Sequence, residues 1–208
     1  KLCILSRLFT RPAFASLAST GDWKRALTVL MIDKLIRAAS LQPLASLYES
    51  AWSEMKSSYR NEYVYKTEIS NRLVFGRHSP RTAALHIELP IGRSIVDVAV
   101  FNGTSTAYEV KTEFDSARRL QTQTDDYSKA FDRVYVVAHH EFAEKYASLV
   151  TREVGVLALS KGGSLSIIPD ASSNVARLDR QTMFMCQIGR ASWRSRVSLS
   201  VAAETFHH

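Results

Sequence analysis

Three charged residues stand where charge is expensive. In SIVDVAVFNGTSTAYEVKTEFD, Ser94 to Asp115, two apolar runs flank an Asn-Gly pair; Asp97 lies inside the first run, Glu109 and Lys111 inside the second. A charge in an apolar strand is costly unless it is paired or binds a metal. Two carboxylates and an amine brought together suit one kind of chemistry. Hard oxygen ligands hold a divalent cation, and a lysine beside them orients a water or neutralises developing negative charge. The plain alternative is a structural Asp–Lys pair that closes a sheet edge.

Whether the charges can meet is a question of parity. Side chains alternate across a strand, and paired residue numbers in an antiparallel hairpin have a constant sum. A two-residue Asn102-Gly103 turn pairs Phe101 with Thr104, which sets Asp97 against Tyr108 and sends Glu109 to the other face. A three-residue loop pairs Phe101 with Ser105 and sets Asp97 opposite Glu109. A five-residue loop sets Asp97 opposite Lys111 and keeps all three on one face. A shared site therefore needs an odd-length loop, barring a bulge, with Gly103 free to take φ > 0. Within the strand, alternation places Asp97 with Ile95, Ala99 and Phe101, and packs Val96, Val98 and Val100 opposite. A second E-x-K, Glu54-Met55-Lys56, falls in an expected helix, where i and i+2 do not share a face.

The elements that must position these residues are legible in outline. Residues 22–60 read as helical, with Asp22 as N-cap and Pro43 separating two helices. Residues 62–75, EYVYKTEISNRLVF, give a third helix in which Tyr63, Ile69 and Leu73 share a face. RHSPR (77–81) is a break. Strands follow at 83–90, 93–101 and 106–112, and then a helix capped by Asp115 or Ser116 and running to Phe131. RVYVVAH (133–139) reads as a buried strand. A helix over 140–150 comes next, and then a hairpin of 154–160 and 164–169 around Lys161-Gly162-Gly163. In the basic tail, MFMCQI reads as a helix. The middle order, α-β-β-β-α-β, predicts an α/β fold on a mixed sheet.

Composition sets limits. The chain has 208 residues, 46% of them hydrophobic, enough for a real core. Cys3 and Cys186 are too few for a disulfide framework or a zinc cluster. No apolar run reaches a membrane span, and KLCILSRLF is too short and too soon broken by arginine for a secretory signal. A start without Met suits a domain of a longer chain. The formal net charge of +7 is unevenly spread: +5 over residues 1–60, −1 over the middle and +3 over 171–208. A basic rim around a carboxylate-bearing centre suits a polyanion held beside a metal, although +7 is also an ordinary solubility charge.

Asp97, eleven intervening residues, and then Glu109-Val110-Lys111, on a hairpin between helices, resembles the PD-(D/E)XK nuclease core. The stretch from YVYKTEI to DRVYVVA is also similar to the sce7726 family of bacterial and phage proteins, assigned to that superfamily. The likeness covers roughly residues 60–160; Val96 stands where the superfamily usually has Pro. It implies a restriction-endonuclease-like core over 61–170; charge and pattern add a basic helical N-terminal extension over 1–60 and a basic C-terminal extension over 171–208, expected to pack on the core. The resemblance further implies a Mg²⁺-dependent nuclease, with Mn²⁺ substituting. Asp97 and Glu109 would supply carboxylates to the metal and Val110 its carbonyl, while Lys111 would orient the attacking water. Glu68, on the helix before the sheet, would touch the metal through water, and Gln123 would join from the helix after E-x-K.

Lys66, Arg118 and Arg119 are candidate phosphate contacts; a solvated charge is the competing reading for each. His86 and Glu88 read as a polar sheet face, His139-His140 as a capping position, and Trp23, Trp52 and Trp193 as core or interface anchors. The expected substrate is nucleic acid, DNA ahead of RNA, in the cytoplasm and without a membrane partner. Two other readings stand beside it. One is a nuclease toxin or defence effector, delivered into a target cell and acting on DNA or tRNA, with a cognate inhibitor protein as partner. The other is an inactive domain of the same fold that binds nucleic acid or protein. The basic N-terminus either clamps substrate or forms a homodimer interface.

Overall fold

The structure, a computed structural model, describes residues 5–21, 43–58, 62–75, 82–112, 115–160 and 162–188. The expected helix over 22–39, the RHSPR break, Lys161, Cys3, Trp23 and Trp193 lie outside the described residues. The chain divides into two compact units, Lys1–Val64 and Tyr65–His208.

The first unit is helical. Helix α1 (Arg11–Thr20) starts at Thr10, whose side chain accepts from the Ala13 amide. Helix α2 (Leu44–Ser58) buries Leu47, Ala51 and Met55, spaced by four, against Leu5, Leu8 and Val64. Aromatic rings flank this core: Phe9 meets Tyr48 and Trp52, and Trp52 meets Tyr63 edge-on. Trp52 is thus a packing anchor. The second E-x-K lies in α2, as its spacing predicts.

The second unit is a six-stranded sheet in the order β1 (Ala84–Ile91), β2 (Ser94–Phe101), β3 (Ser105–Lys111), β4 (Arg133–His139), β5 (Gly155–Leu159), β6 (Leu165–Ile167). Strands β1, β2 and β3 are antiparallel neighbours, β3, β4 and β5 run parallel, and β6 closes antiparallel. Helix α3 (Glu62–Ile69) crosses the boundary between the units and continues as a π-helix, Ser70–Phe75. Its Tyr65 and Ile69 pack on one sheet face with Val98, Val100, Tyr108, Val110, Tyr135 and Val137. The other face carries Ala107, Val134, Val136 and Ala138. It is covered by α4 (Leu120–Ser128) through Leu120 and Tyr127, by α5 (His140–Ala147) through Ala143 and Tyr146, and by α6 (Arg180–Ile188) through Met183 and Cys186. With both faces covered, β4 and β5 carry nearly continuous apolar runs, as the sequence of β4 indicated, whereas β3 is interrupted by Glu109 and Lys111. Among the described residues, no helix is long and apolar enough to cross a membrane.

Several sequence-based expectations need correction. Tyr63 does not share the buried face of α3 with Ile69; it is exposed, and Tyr65 takes that place. Neither Asp115 nor Ser116 caps the helix after β3. Asp115 Oδ2 accepts from the Thr112 amide and hydroxyl and ties down the exit of β3, and Ser116 makes no side-chain cap to the 3-10 turn Ala117–Arg119 that leads into α4. That helix ends at Ser128, short of Phe131, and α5 ends at Ala147.

The β2–β3 register is Phe101↔Ser105, Val100↔Thr106, Ala99↔Ala107 and Val98↔Tyr108. This is the three-residue loop, with Gly103 at φ 90°. Alternation along β2 fails at one point. Val98 and Val100 face α3, but Val96 packs with Ala99 on the α4 face. The cause lies across the β1–β2 ladder. Glu88 has φ 58°, alone among described non-glycine residues in the left-handed region, and the Glu88–Asp97 pair is missing from the ladder. Such a backbone costs about 1–2 kcal/mol for a residue with a Cβ. It swaps the faces of both strands: Leu85 and Ile87 lie with the α3 cluster, Leu89 and Ile91 with the α4 cluster.

Candidate active site

The β2–β3 ladder stops at Val98↔Tyr108. The strands part there, just before residues 97 and 109, which the loop length sets opposite each other. The amide of Val110, on the parting strand, donates to Asp97 Oδ2 at 2.8 Å. Asp97 Oδ1 lies 3.2 Å from Lys66 Nζ, which reaches across from α3. The same ammonium lies 3.2 Å from Glu88 Oε1. Asp97 is therefore held by backbone on one oxygen and by an ammonium on the other.

Glu109 is buried on the α4 face, with a side chain only 3% exposed. Its Oε1 accepts from Lys111 Nζ at 2.7 Å and from Gln123 Nε2 at 2.6 Å. Gln123 Oε1 accepts in turn from Lys111 Nζ at 3.0 Å, which closes a three-membered ring of hydrogen bonds. The phenol of Tyr127 lies 2.7 Å from Glu109 Oε2 and 2.6 Å from the Ile95 carbonyl, so one proton serves two acceptors. Burial, and next the charge of Glu109, push the Tyr127 phenol far above its ordinary range, and it stays protonated as a donor. The formal charge of the cluster is −1: Glu88, Asp97 and Glu109 against Lys66 and Lys111.

Glu109, Lys111 and Gln123 thus form one hydrogen-bonded group, and Asp97 adjoins it where β2 and β3 separate, bound to the Val110 amide between Glu109 and Lys111. Lys66, expected as a phosphate contact, is 8% exposed and engaged with Asp97 and Glu88. Glu68, two residues further along α3, turns to another part of the unit: it pairs with Arg72 at 3.5 Å, and a Cβ on Gly163 would come within 2.8 Å of its Oε2. Gly163, at φ 80°, keeps the β5–β6 turn close beneath that carboxylate. Arg118 and Arg119 are exposed on the 3-10 turn that leads into α4. His139 caps α5, accepting from the Glu141 amide.

Two members of the cluster escaped the sequence reading. Tyr127 carried a usable signal: it follows Gln123 by four residues, one turn along the same helix face. Glu88 carried none, because nothing in ALHIELP marks a left-handed glutamate.

The donor chemistry fits a hard cation. Among the described residues, no three acids, histidines or cysteines close into a metal cage. Asp97 and Glu109 are two carboxylates from adjoining strands at a break in the sheet. Such a set suits Mg²⁺, which keeps several waters and takes one or two carboxylates. Asp97 and Glu109 would hold the ion, and the Lys66 and Lys111 ammoniums now satisfy the same oxygens.

A family model described as Bacteriophage P4 protein cII matches residues 55–203, a stretch that contains every residue of the cluster. Among curated proteins, "Protein cII" of Enterobacteria phage P4 is 32% identical over 68 residues, 33% of this chain and 26% of that protein. The match spans about a quarter of that relative's length. No solved structure gives a significant match.

Proposed function

The chain belongs to the family of bacteriophage P4 protein cII, and we propose that it is a Mg²⁺-dependent nuclease on a restriction-endonuclease-like core, cutting phosphodiester bonds in DNA ahead of RNA. One observation carries the reading: Asp97, Glu109 and Lys111 come from two strands to the place where their ladder opens, with Gln123 bound to both Glu109 and Lys111. The order helix, antiparallel β1–β3, helix, parallel β4 supports the proposed core.

A bound Mg²⁺ would supply an activated water and neutralise charge on the phosphoryl oxygens. The chain's own residues do the rest. Asp97 and Glu109 provide the negative seat. The Val110 amide fixes the Asp97 carboxylate, and Gln123 and Tyr127 fix the Glu109 carboxylate, so neither acid must be ordered at the moment of reaction. Lys111, held by Glu109 and Gln123, keeps an ammonium where an attacking water loses its proton or a phosphoryl oxygen gains charge. Arg118 and Arg119, exposed on the turn after β3, are available to backbone phosphates. The setting in this reading is the cytoplasm, where Mg²⁺ and nucleic acid meet.

The test is incubation of the full chain with plasmid DNA and with RNA, in Mg²⁺ and in EDTA, beside Asp97→Ala. Cleavage that needs both Mg²⁺ and Asp97 is expected; equal cleavage in EDTA or by the variant overturns the proposal. One feature favours a second reading, a non-cleaving nucleic-acid-binding domain: both oxygens of Glu109 are already engaged by donors. Calorimetry showing that neither Mg²⁺ nor Mn²⁺ binds would select it.

A further inference from the structure

We propose that Lys66 is a tethered cation that occupies Asp97 until a metal ion takes its place, and that Glu88 is the positioning residue that draws Lys66 away. The inference rests on the metal-dependent reading above and concerns what this chain does to admit the metal.

The geometry that points to it is local. Asp97 Oδ2 is taken by the Val110 amide, so Oδ1 is the oxygen turned toward a cation, and Lys66 Nζ lies 3.2 Å from it. A divalent ion bound to Asp97 would sit beside that ammonium and be repelled by it. Lys66 has little access to water, since its side chain is 10% exposed. Leaving Asp97 therefore requires another acceptor. Glu88 Oε1 stands at the same 3.2 Å from the ammonium on the other side, and the Glu88 side chain is 61% exposed. Lysine suits such a transfer, being a compact charge on a flexible stem.

The backbone singles out Glu88 for this role. It holds a left-handed conformation that any ordinary strand residue avoids, and the β1–β2 ladder gives up the Glu88–Asp97 pair to accommodate it. Strain of this kind persists where the surrounding structure enforces it and gathers at functional sites. Here it brings a carboxylate from β1 onto the same ammonium that Asp97 holds from β2.

The two residues then have opposite effects on metal affinity. The experiment is calorimetric titration of the full chain with Mn²⁺, for wild type, Lys66→Met, Glu88→Gln and Glu88→Asp. Removing the ammonium in Lys66→Met tightens Mn²⁺ binding by at least about tenfold, as expected when a like charge a few ångströms away is lost. Glu88→Gln weakens binding, because Lys66 then remains on Asp97, and Glu88→Asp restores most of the loss. Weaker or unchanged binding in Lys66→Met overturns the inference, as does unchanged binding in Glu88→Gln. Should Lys66→Met fail to fold, the two Glu88 variants decide, since that side chain is largely in solvent. An absence of Mn²⁺ binding in all four proteins removes the metal-dependent reading itself, and this inference with it. Binding by wild type with no response at Lys66 or Glu88 leaves that reading intact and overturns this inference alone.

Discussion

At the scale of single residues, the cluster shows what converts costly strand charges into a stable arrangement. Glu109 and Lys111 are buried, and a buried pair is tolerable only when its remaining hydrogen-bonding capacity is met. Gln123 and Tyr127 meet it. Tyr127→Phe keeps the ring packing and removes the donor. It should destabilise the chain by about 1–3 kcal/mol, the usual cost of leaving a buried acceptor unmet, read as a lower urea midpoint with an unchanged slope. An unchanged midpoint would mean that neither hydrogen bond of the phenol contributes to stability. The acids and Lys111 were legible in the sequence because they interrupt an apolar pattern, and Gln123 through the resemblance. Tyr127 was passed over because a tyrosine on a helix reads as core, although its one-turn spacing from Gln123 marks it, and the pairing of Lys66 with Asp97 was hidden because the reach of a lysine between elements leaves no mark in local pattern.

At the scale of elements, loop arithmetic narrowed the β2–β3 register to an odd-length loop, of which the structure takes the three-residue form, while the strand alternation beyond it was misjudged. Parity holds as long as each residue sits in ordinary extended backbone, and Glu88 does not. Helix ends were misplaced for a related reason: capping depends on where a side chain turns, and Asp115 turns back to Thr112. The exit of β6 offers a pH test. Tyr135 on β4 donates to Asp170, which also accepts from the Ala171 amide. The Tyr135 hydrogen bond holds the Asp170 carboxyl below its ordinary value. A lowered folded value means stability that is full at neutral pH and is lost as pH falls through that value. Asp170→Asn should therefore be less stable than wild type at neutral pH. The difference should shrink below about pH 4, where the wild-type carboxyl begins to protonate in the unfolded chain. Thermal unfolding of both proteins from pH 7 to pH 2 checks this; a gap that stays constant over the range contradicts it.

At the scale of the whole molecule, each unit has its own core: Leu5, Leu8, Leu47, Ala51, Met55 and Val64 in the first, and two clusters on the sheet faces in the second. A chain of residues 62–208 should then unfold cooperatively by itself, seen by circular dichroism. Residues 1–60 carry a net +5. In the nucleic-acid reading the shortened chain binds DNA more weakly in EDTA, and its affinity depends less steeply on salt, because fewer counterions are released. An unchanged salt slope would remove the N-terminal unit from the binding surface. Composition located this charge, yet the α/β order was the more secure reading, since it rests on pattern repeated over many residues.

The central claim is that Asp97, Glu109 and Lys111 form one hydrolytic site. The most direct test is the initial rate of Mg²⁺-dependent nicking of supercoiled DNA, at saturating substrate, for wild type, Asp97→Asn and Lys111→Ala side by side. The site as described predicts cleavage by wild type and a loss of about 10²–10⁴-fold in each variant, the range for removing a positioned proton-transfer or charge-stabilising group, with DNA binding in EDTA retained. Wild-type nicking that survives in either variant, or no Mg²⁺-dependent nicking by the wild type at all, would contradict it.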